Sequence, residues 1–183
     1  MAYKNDTNDK REEAISACLD QFCKKGLYET TSRDLSRALK LQAGGMYSYF
    51  SNKDEAVLLC AEEAAFLLEK YLVNQAIANV SDVDLMFNEL LDRAEKLSHM
   101  MKFFAQVCSV PKYKEGMDPI LKRLTQRHKS YAEQLAETLN RPTEEIEPIF
   151  LLCVSSFENY MLFGEKDTVL SQVAFIKSIL IKN

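Results

Sequence analysis

Residues Ser32–Leu58 read SRDLSRALKLQAGGMYSYFSNKDEAVL, and the apolar spacing within them decides the fold. Leu35, Ala38 and Leu39 share one side of a short helix, with Thr31 as its N-cap and Asp34 at its third position. Lys40-Leu41 breaks the phase, because Met46 and Phe50 mark a stripe out of register with the last. That stripe predicts a third short helix over about Ala43–Tyr49. Asn52 and Glu55 form a capping-box-like pair. It starts a long helix through Val57, Ala61, Ala64, Leu68, Tyr71, Leu72 and Gln75. At about 1.5 Å per residue that helix is roughly 40 Å long, enough to join two bodies.

The helical period extends in both directions. Upstream, Ile15, Cys18, Leu19, Phe22 and Cys23 form an inward stripe. Asp9 and Glu12 are expected to cap that helix, and Gly26 to end it. Downstream, a segment beginning at Ser81 carries Val83, Met86, Phe87, Leu90, Leu91, Ala94, Leu97 and Met101 inward. Pro and Gly between Cys108 and Pro119 predict a loop. Met117, Ile120, Leu121, Leu124, His128, Tyr131 and Leu135 form the next stripe, ending near Asn140-Arg141-Pro142. Glu147–Phe163 is apolar on nearly all sides, with Pro148 expected in its first turn and Gly164 as its stop. A last helix is expected from about Thr168 to Ile181. The reading is an all-α fold of about nine helices, without a strand or repeat.

Composition agrees with this class. The 183 residues are 47% hydrophobic and 27% charged, with only 5 Gly and 4 Pro, the balance of a globular domain able to bury its own core. The net charge of −4 argues against a wholly basic nucleic-acid coat. Met1–Lys53 is nonetheless +2 and the remainder −6, so the positive end is the N-terminal one. Five cysteines, an odd number without a CxxC pair, point to buried thiols in a reducing cytoplasm rather than to disulfides or zinc. The polar N-terminus lacks the apolar core of a signal peptide, and no apolar run approaches the ~20 residues of a bilayer span. No partnership with a membrane, no metal and no cofactor is expected. Paired catalytic carboxylates, a phosphate-binding Gly loop and a nucleophile elbow are absent from the motifs, which argues against an enzyme.

Two short helices joined by a brief turn, and braced by a helix before them, make a helix-turn-helix unit. Ala43, Gly44, Gly45 and Ser48 are small enough for close approach to a major groove about 12 Å wide. Thr31, Tyr47 and Tyr49 supply hydroxyls, and Arg33, Arg37 and Lys53 supply positive charge. Ile15–Leu58 resembles the DNA-binding domain of the TetR family of bacterial one-component regulators. The matching runs are AISACLDQFCKKGLYETT (Ala14–Thr31), SRDLSRAL (Ser32–Leu39) and MYSYFSNKDEAVL (Met46–Leu58).

The resemblance implies that Tyr47, Tyr49 and Lys53 contact phosphates, with Thr31 starting the second helix. It also implies that Arg33, Gln42, Ala43, Gly45 and Ser48 face base edges. Four positions depart from the family pattern: Lys40 replaces a turn Gly, Gln42 a Ser/Thr cap, Ala43 a basic residue and Gly45 a common Thr. Base reading is therefore expected to lean on Arg33, Gln42, a methyl contact from Ala43 and DNA shape.

The division implied is a DNA-binding domain over residues 8–52, continuing into the start of a 53–79 helix, and an effector-binding and dimerisation domain over 53–183. Met86, Phe87, Leu90, Met101, Phe104, Cys108, Met117, Leu124, His128 and Tyr131 are candidate lining for a largely apolar small-molecule effector, with plain core packing as the alternative for each. The last two helices carry more apolar surface than one small domain covers. In the family they form a four-helix dimer interface, which implies a homodimer joined through Phe150, Val154, Phe157, Met161, Val169, Val173, Ile176 and Leu180. The expected function is a ligand-released, homodimeric repressor that binds a double-stranded operator. The alternative is a helical small-molecule-binding or scaffold protein that has lost operator binding.

Overall fold

The computed structural model describes residues 3–78 and 82–180, and every regular element among them is helical. α1 spans Tyr3–Lys25 and α2 Ser32–Ala38; a 3-10 turn follows at Gly45–Ser48. α3 (Lys53–Leu68) runs on through a π-helical stretch (Glu69–Asn74) into a last turn (Gln75–Ala78). α4 spans Val83–Ser109, and a short 3-10 segment (Pro111–Tyr113) leads into α5 (Lys114–Leu139). α6 (Thr143–Phe163) and α7 (Lys166–Leu180) complete the chain.

Counting α3 with its continuation as one rod, seven helices stand among the described residues where about nine were expected. The third short helix is a single 3-10 turn. Gly44 has φ +89°, outside the right-handed helical region, so no α-helix propagates from Ala43. The expected loop at Cys108–Pro119 shrinks to a few residues, because α5 begins at Lys114 and holds Pro119 inside. α1 starts at Tyr3, so Asp9 and Glu12 lie within the helix and do not cap it. α6 starts at Thr143, which moves Pro148 from the first turn into the second. The expected start at Ser81 and end at Ile181 lie outside the described residues.

Two compact units emerge. The first runs to Phe66 and includes Lys102–Ile120. α1 packs on α2. Phe22 stacks on Phe103 with ring centroids 4.9 Å apart. Leu19, Leu35, Met46, Phe50, Val57 and Met117 are fully buried in the same unit. Burying each side chain of this size contributes about 1.5–3 kcal/mol.

The second unit comprises Leu67–Met101 and the chain from Leu121 onward. α6 packs against α7, and Gly164 turns the chain between them with φ +75°. Phe87 stacks on Phe157 at 6.3 Å. Arg141 Nη1 donates to the Ile179 carbonyl at 3.1 Å, and Lys177 pairs with Asp84 at 2.6 Å. By length and composition α6 is apolar enough to cross a membrane, which the apolar runs of the sequence did not suggest. Its inward side chains Ile146, Ile149, Phe150, Phe157, Tyr160 and Met161 are buried in this unit.

Candidate nucleic-acid interface

The geometry begins at Gly26, which ends α1 with φ +84°. The buried Thr30 hydroxyl donates to the Gly26 carbonyl at 2.7 Å, closing the turn into α2. Thr31 caps α2 in extended conformation. Its Oγ1 accepts from the Asp34 backbone N–H at 3.2 Å, while the Thr31 N–H donates to Asp34 Oδ2 at 2.9 Å. Each bond satisfies a donor that the start of a helix otherwise leaves open. Lys25 Nζ joins the same carboxylate oxygen at 2.8 Å.

The Lys25 bond, then the two Thr31 bonds, hold the Asp34 carboxyl well below the usual carboxylate range. A depressed carboxylate contributes stability that is complete above its unfolded value, about 3.9, and is lost as pH falls through the folded value. Melting temperature is therefore expected to fall with acidification below about pH 4. Asp34→Asn should flatten part of that slope; a variant with an unchanged slope would place the acid sensitivity elsewhere.

Ser36 positions the turn that follows. It is buried, its Oγ donates to the Ser32 carbonyl at 3.0 Å, and it accepts from the Met46 N–H at 3.2 Å. Lys40 takes φ +58° at the end of α2, and the Leu41 N–H returns to the Ser36 carbonyl at 2.9 Å. Sequence reasoning missed Ser36. The available signal was a small hydroxyl residue next to Leu35 on the inward side of α2.

Beyond this brace, Thr31, Arg33, Gln42, Ala43, Gly44, Tyr47 and Ser48 are all exposed, with Tyr47 at 56%. Gly45, Tyr49 and Lys53 are half-buried. The Tyr49 ring lies 6.3 Å from Phe50, which is buried. Lys53 Nζ donates to the Leu27 carbonyl at 3.3 Å. Burial, then the nearby Lys112 charge, hold it below the ordinary lysine value.

The start of α3 is capped twice over. Asn52 Oδ1 accepts from the Glu55 N–H at 2.9 Å, and Glu55 Oε2 accepts from the Ser51 N–H at 2.6 Å. The reciprocal bond thus falls one residue before Asn52. Asp54 Oδ1 accepts from Lys112 Nζ at 2.7 Å and from the Tyr113 hydroxyl at 2.6 Å. These bonds tie the first turn of α3 to the segment after α4. The Leu27 N–H, donating to Gln106 Oε1 at 2.9 Å, ties the α1–α2 turn to α4 itself.

The candidate effector residues divide between the two units. Met86, Phe87, Leu90, Met101, Leu124, His128 and Tyr131 belong to the second, and Phe104, Cys108 and Met117 to the first. Cys108 is exposed, Phe104, Leu124 and His128 are half-buried, and the others are buried. Among the candidate dimer residues, Phe150, Phe157, Met161, Val169, Val173 and Ile176 are buried by the chain itself. Val154 and Leu180 are half-buried. The apolar side chains that α6 and α7 leave exposed are Leu151, Leu152, Phe163, Leu170 and Phe175.

Comparison with known proteins centres on this helix-turn unit. Residues 14–58 match the model of the family described as bacterial regulatory proteins, tetR family. The HTH-type transcriptional regulator HbdR of Aromatoleum sp. (strain CIB) is 30% identical over 67 residues, which are 37% of this chain and 29% of that protein. The match thus spans less than a third of that curated relative. A solved structure assigned to the TetR family from Mesorhizobium loti MAFF303099 superposes with TM-score 0.64 at 14% identity, covering 94% of this chain and 96% of that one. The TetR family regulator PfmR from Thermus thermophilus gives 0.58 at 19% identity, covering 93% and 99%. At these identities the two structures share the fold with this chain.

Proposed function

We propose that this chain, whose residues 14–58 match the tetR family of bacterial regulatory proteins, is a cytoplasmic, homodimeric repressor that reads a DNA operator and is released by a small-molecule effector. The observation that carries the reading is the Ser36 brace. It seats the Gly45–Ser48 turn on α2 through the Met46 N–H, while Arg33, Gln42, Tyr47 and Ser48 stay exposed. Side chains held on a rigid mount and turned to solvent are what groove reading requires.

A two-fold dimer would set two such turns about one DNA turn apart. Leu151, Leu152, Phe163, Leu170 and Phe175 are the surface offered to the second copy. Sedimentation as a monomer at micromolar concentration would rule this assembly out. The effector acts by preferring the DNA-incompetent state. A preference of ~100-fold supplies about 2.7 kcal/mol of coupling.

The test is fluorescence anisotropy with DNA from just upstream of the chain's own gene, against a scrambled duplex, with salt varied. Selective binding of the native duplex supports the reading, and the salt slope estimates the phosphate contacts. Arg33→Ala is expected to relax base preference at one position per half-site, costing about 1–3 kcal/mol there. Uniform weakening on all sequences would make Arg33 a phosphate contact. One feature favours a second reading, a helical ligand-binding protein without an operator: the recognition element is only four residues long and opens on Gly44-Gly45. Equal, weak binding of both duplexes would support it.

A further inference from the structure

Glu69 begins the π-helical stretch of α3, and its side chain is only 3% exposed. Neither carboxylate oxygen accepts a hydrogen bond of good geometry among the described residues, although the Tyr131 hydroxyl lies close enough to interact with the carboxylate. Arg127 Nη1 stands 2.9 Å from Oε2, without an aligned N–H, on a side chain that is 50% exposed. A buried carboxylate normally collects hydrogen bonds, because taking the charge out of water costs several kcal/mol. Local π geometry often marks a functional site rather than a packing solution.

The neighbours sharpen the chemistry. Tyr131 is buried, and burial and then the Glu69 charge raise its hydroxyl above the ordinary phenol range. His128 presents its ring edge-on to Phe150 at 5.8 Å, and burial lowers it against the opposing pull of Glu69. Burial thus favours the uncharged imidazole. Arg127 is the residue that balances the buried charge, and it reaches in from solvent.

We propose that Glu69 is the recognition residue of an effector site for a small organic cation, whose ammonium group displaces Arg127 while its apolar part lies against His128 and Phe150. This rests on the ligand-responsive reading and names the ligand class. An ionised carboxylate only accepts hydrogen bonds, so an anion is repelled. A neutral donor that displaces Arg127 leaves the buried Glu69 charge uncompensated.

Calorimetry on the full chain without DNA tests this, using 3-phenylpropylammonium with 3-phenylpropanol and 3-phenylpropionate as neutral and anionic controls. The ammonium is expected to bind at least about tenfold more tightly than either control, the scale of one charged hydrogen bond. Glu69→Gln should erase that preference. Arg127→Ala should tighten ammonium binding, because the competing cation is gone, whereas a merely structural ion pair predicts no gain. The Arg127 variant also serves if Glu69→Gln does not fold. No saturation by the ammonium in the millimolar range, equal binding of the alcohol, or an Arg127→Ala variant without tightening each overturns the proposal. Because the readout contains no DNA, failure of this site and failure of operator binding are separately visible.

Discussion

Gly45→Ala is expected to weaken operator binding about 100-fold while leaving most of the helical signal intact; that loss equals ~2.7 kcal/mol, within the range of an overpacked site. A Cβ at position 45 would lie 2.4 Å from the Leu41 Cβ. Leu41 cannot swing aside, because its Cβ is fixed to a backbone whose N–H is bonded to the Ser36 carbonyl. The turn must shift instead. Its anchor is the Met46 N–H on Ser36 Oγ, so the shift carries Tyr47 and Ser48 away from their mount. Gly44→Ala is the control: a Cβ there meets nothing within 4 Å, but φ is +89°. Backbone strain of about 1–2 kcal/mol is expected there without a clash. Anisotropy and circular dichroism on both variants decide the matter. Gly45→Ala binding like the wild type would mean that the Gly45–Ser48 turn does not read DNA.

The contrast between those glycines marks how far the sequence could be read. Chemistry acting over three or four residues was legible. The Thr31–Asp34 cap, the Gly26 and Gly164 stops and the Lys40 turn all stand where local pattern put them. The expected third helix misled because Met46 and Phe50, four residues apart, mark the inward side of a tight turn as well as of a helix. Partners distant in sequence left no local trace. Asp54 meets Tyr113, and Leu27 meets Gln106, across more than fifty residues. Apolar patterning on α6 and α7 identified residues that seek cover but not what covers them, so side chains assigned to a partner copy are buried by their own chain. Glu69 was visible in principle. It occupies an inward position between Leu68 and Leu72, where a charge breaks an otherwise apolar stripe.

Phe22→Ala is expected to cost about 3–5 kcal/mol of stability, the usual penalty for emptying a buried aromatic site. Phe22 is wholly buried, and its ring stacks on Phe103 at 4.9 Å with 15° between planes. The lost pair adds ~0.5–1.5 kcal/mol to the lost area. Against a typical margin of about 5–15 kcal/mol, such a loss brings the domain close to unfolding at ambient temperature. Phe103→Ala should cost nearly as much, and the double variant less than the two together, because the same contact is removed once. Urea denaturation of the three variants measures this, and a Phe22→Ala loss below about 1 kcal/mol would show that the cavity collapses without penalty. The variant also separates architecture from recognition. Phe22 is buried within the unit that carries Arg33 and Tyr47 and contributes no exposed group. At a temperature where Phe22→Ala remains folded, its operator affinity should approach that of the wild type, whereas Gly45→Ala stays deficient at every temperature. Stability loss and recognition loss then trace to different residues of one small domain, the first to a stacked pair in its core and the second to a turn held by one serine.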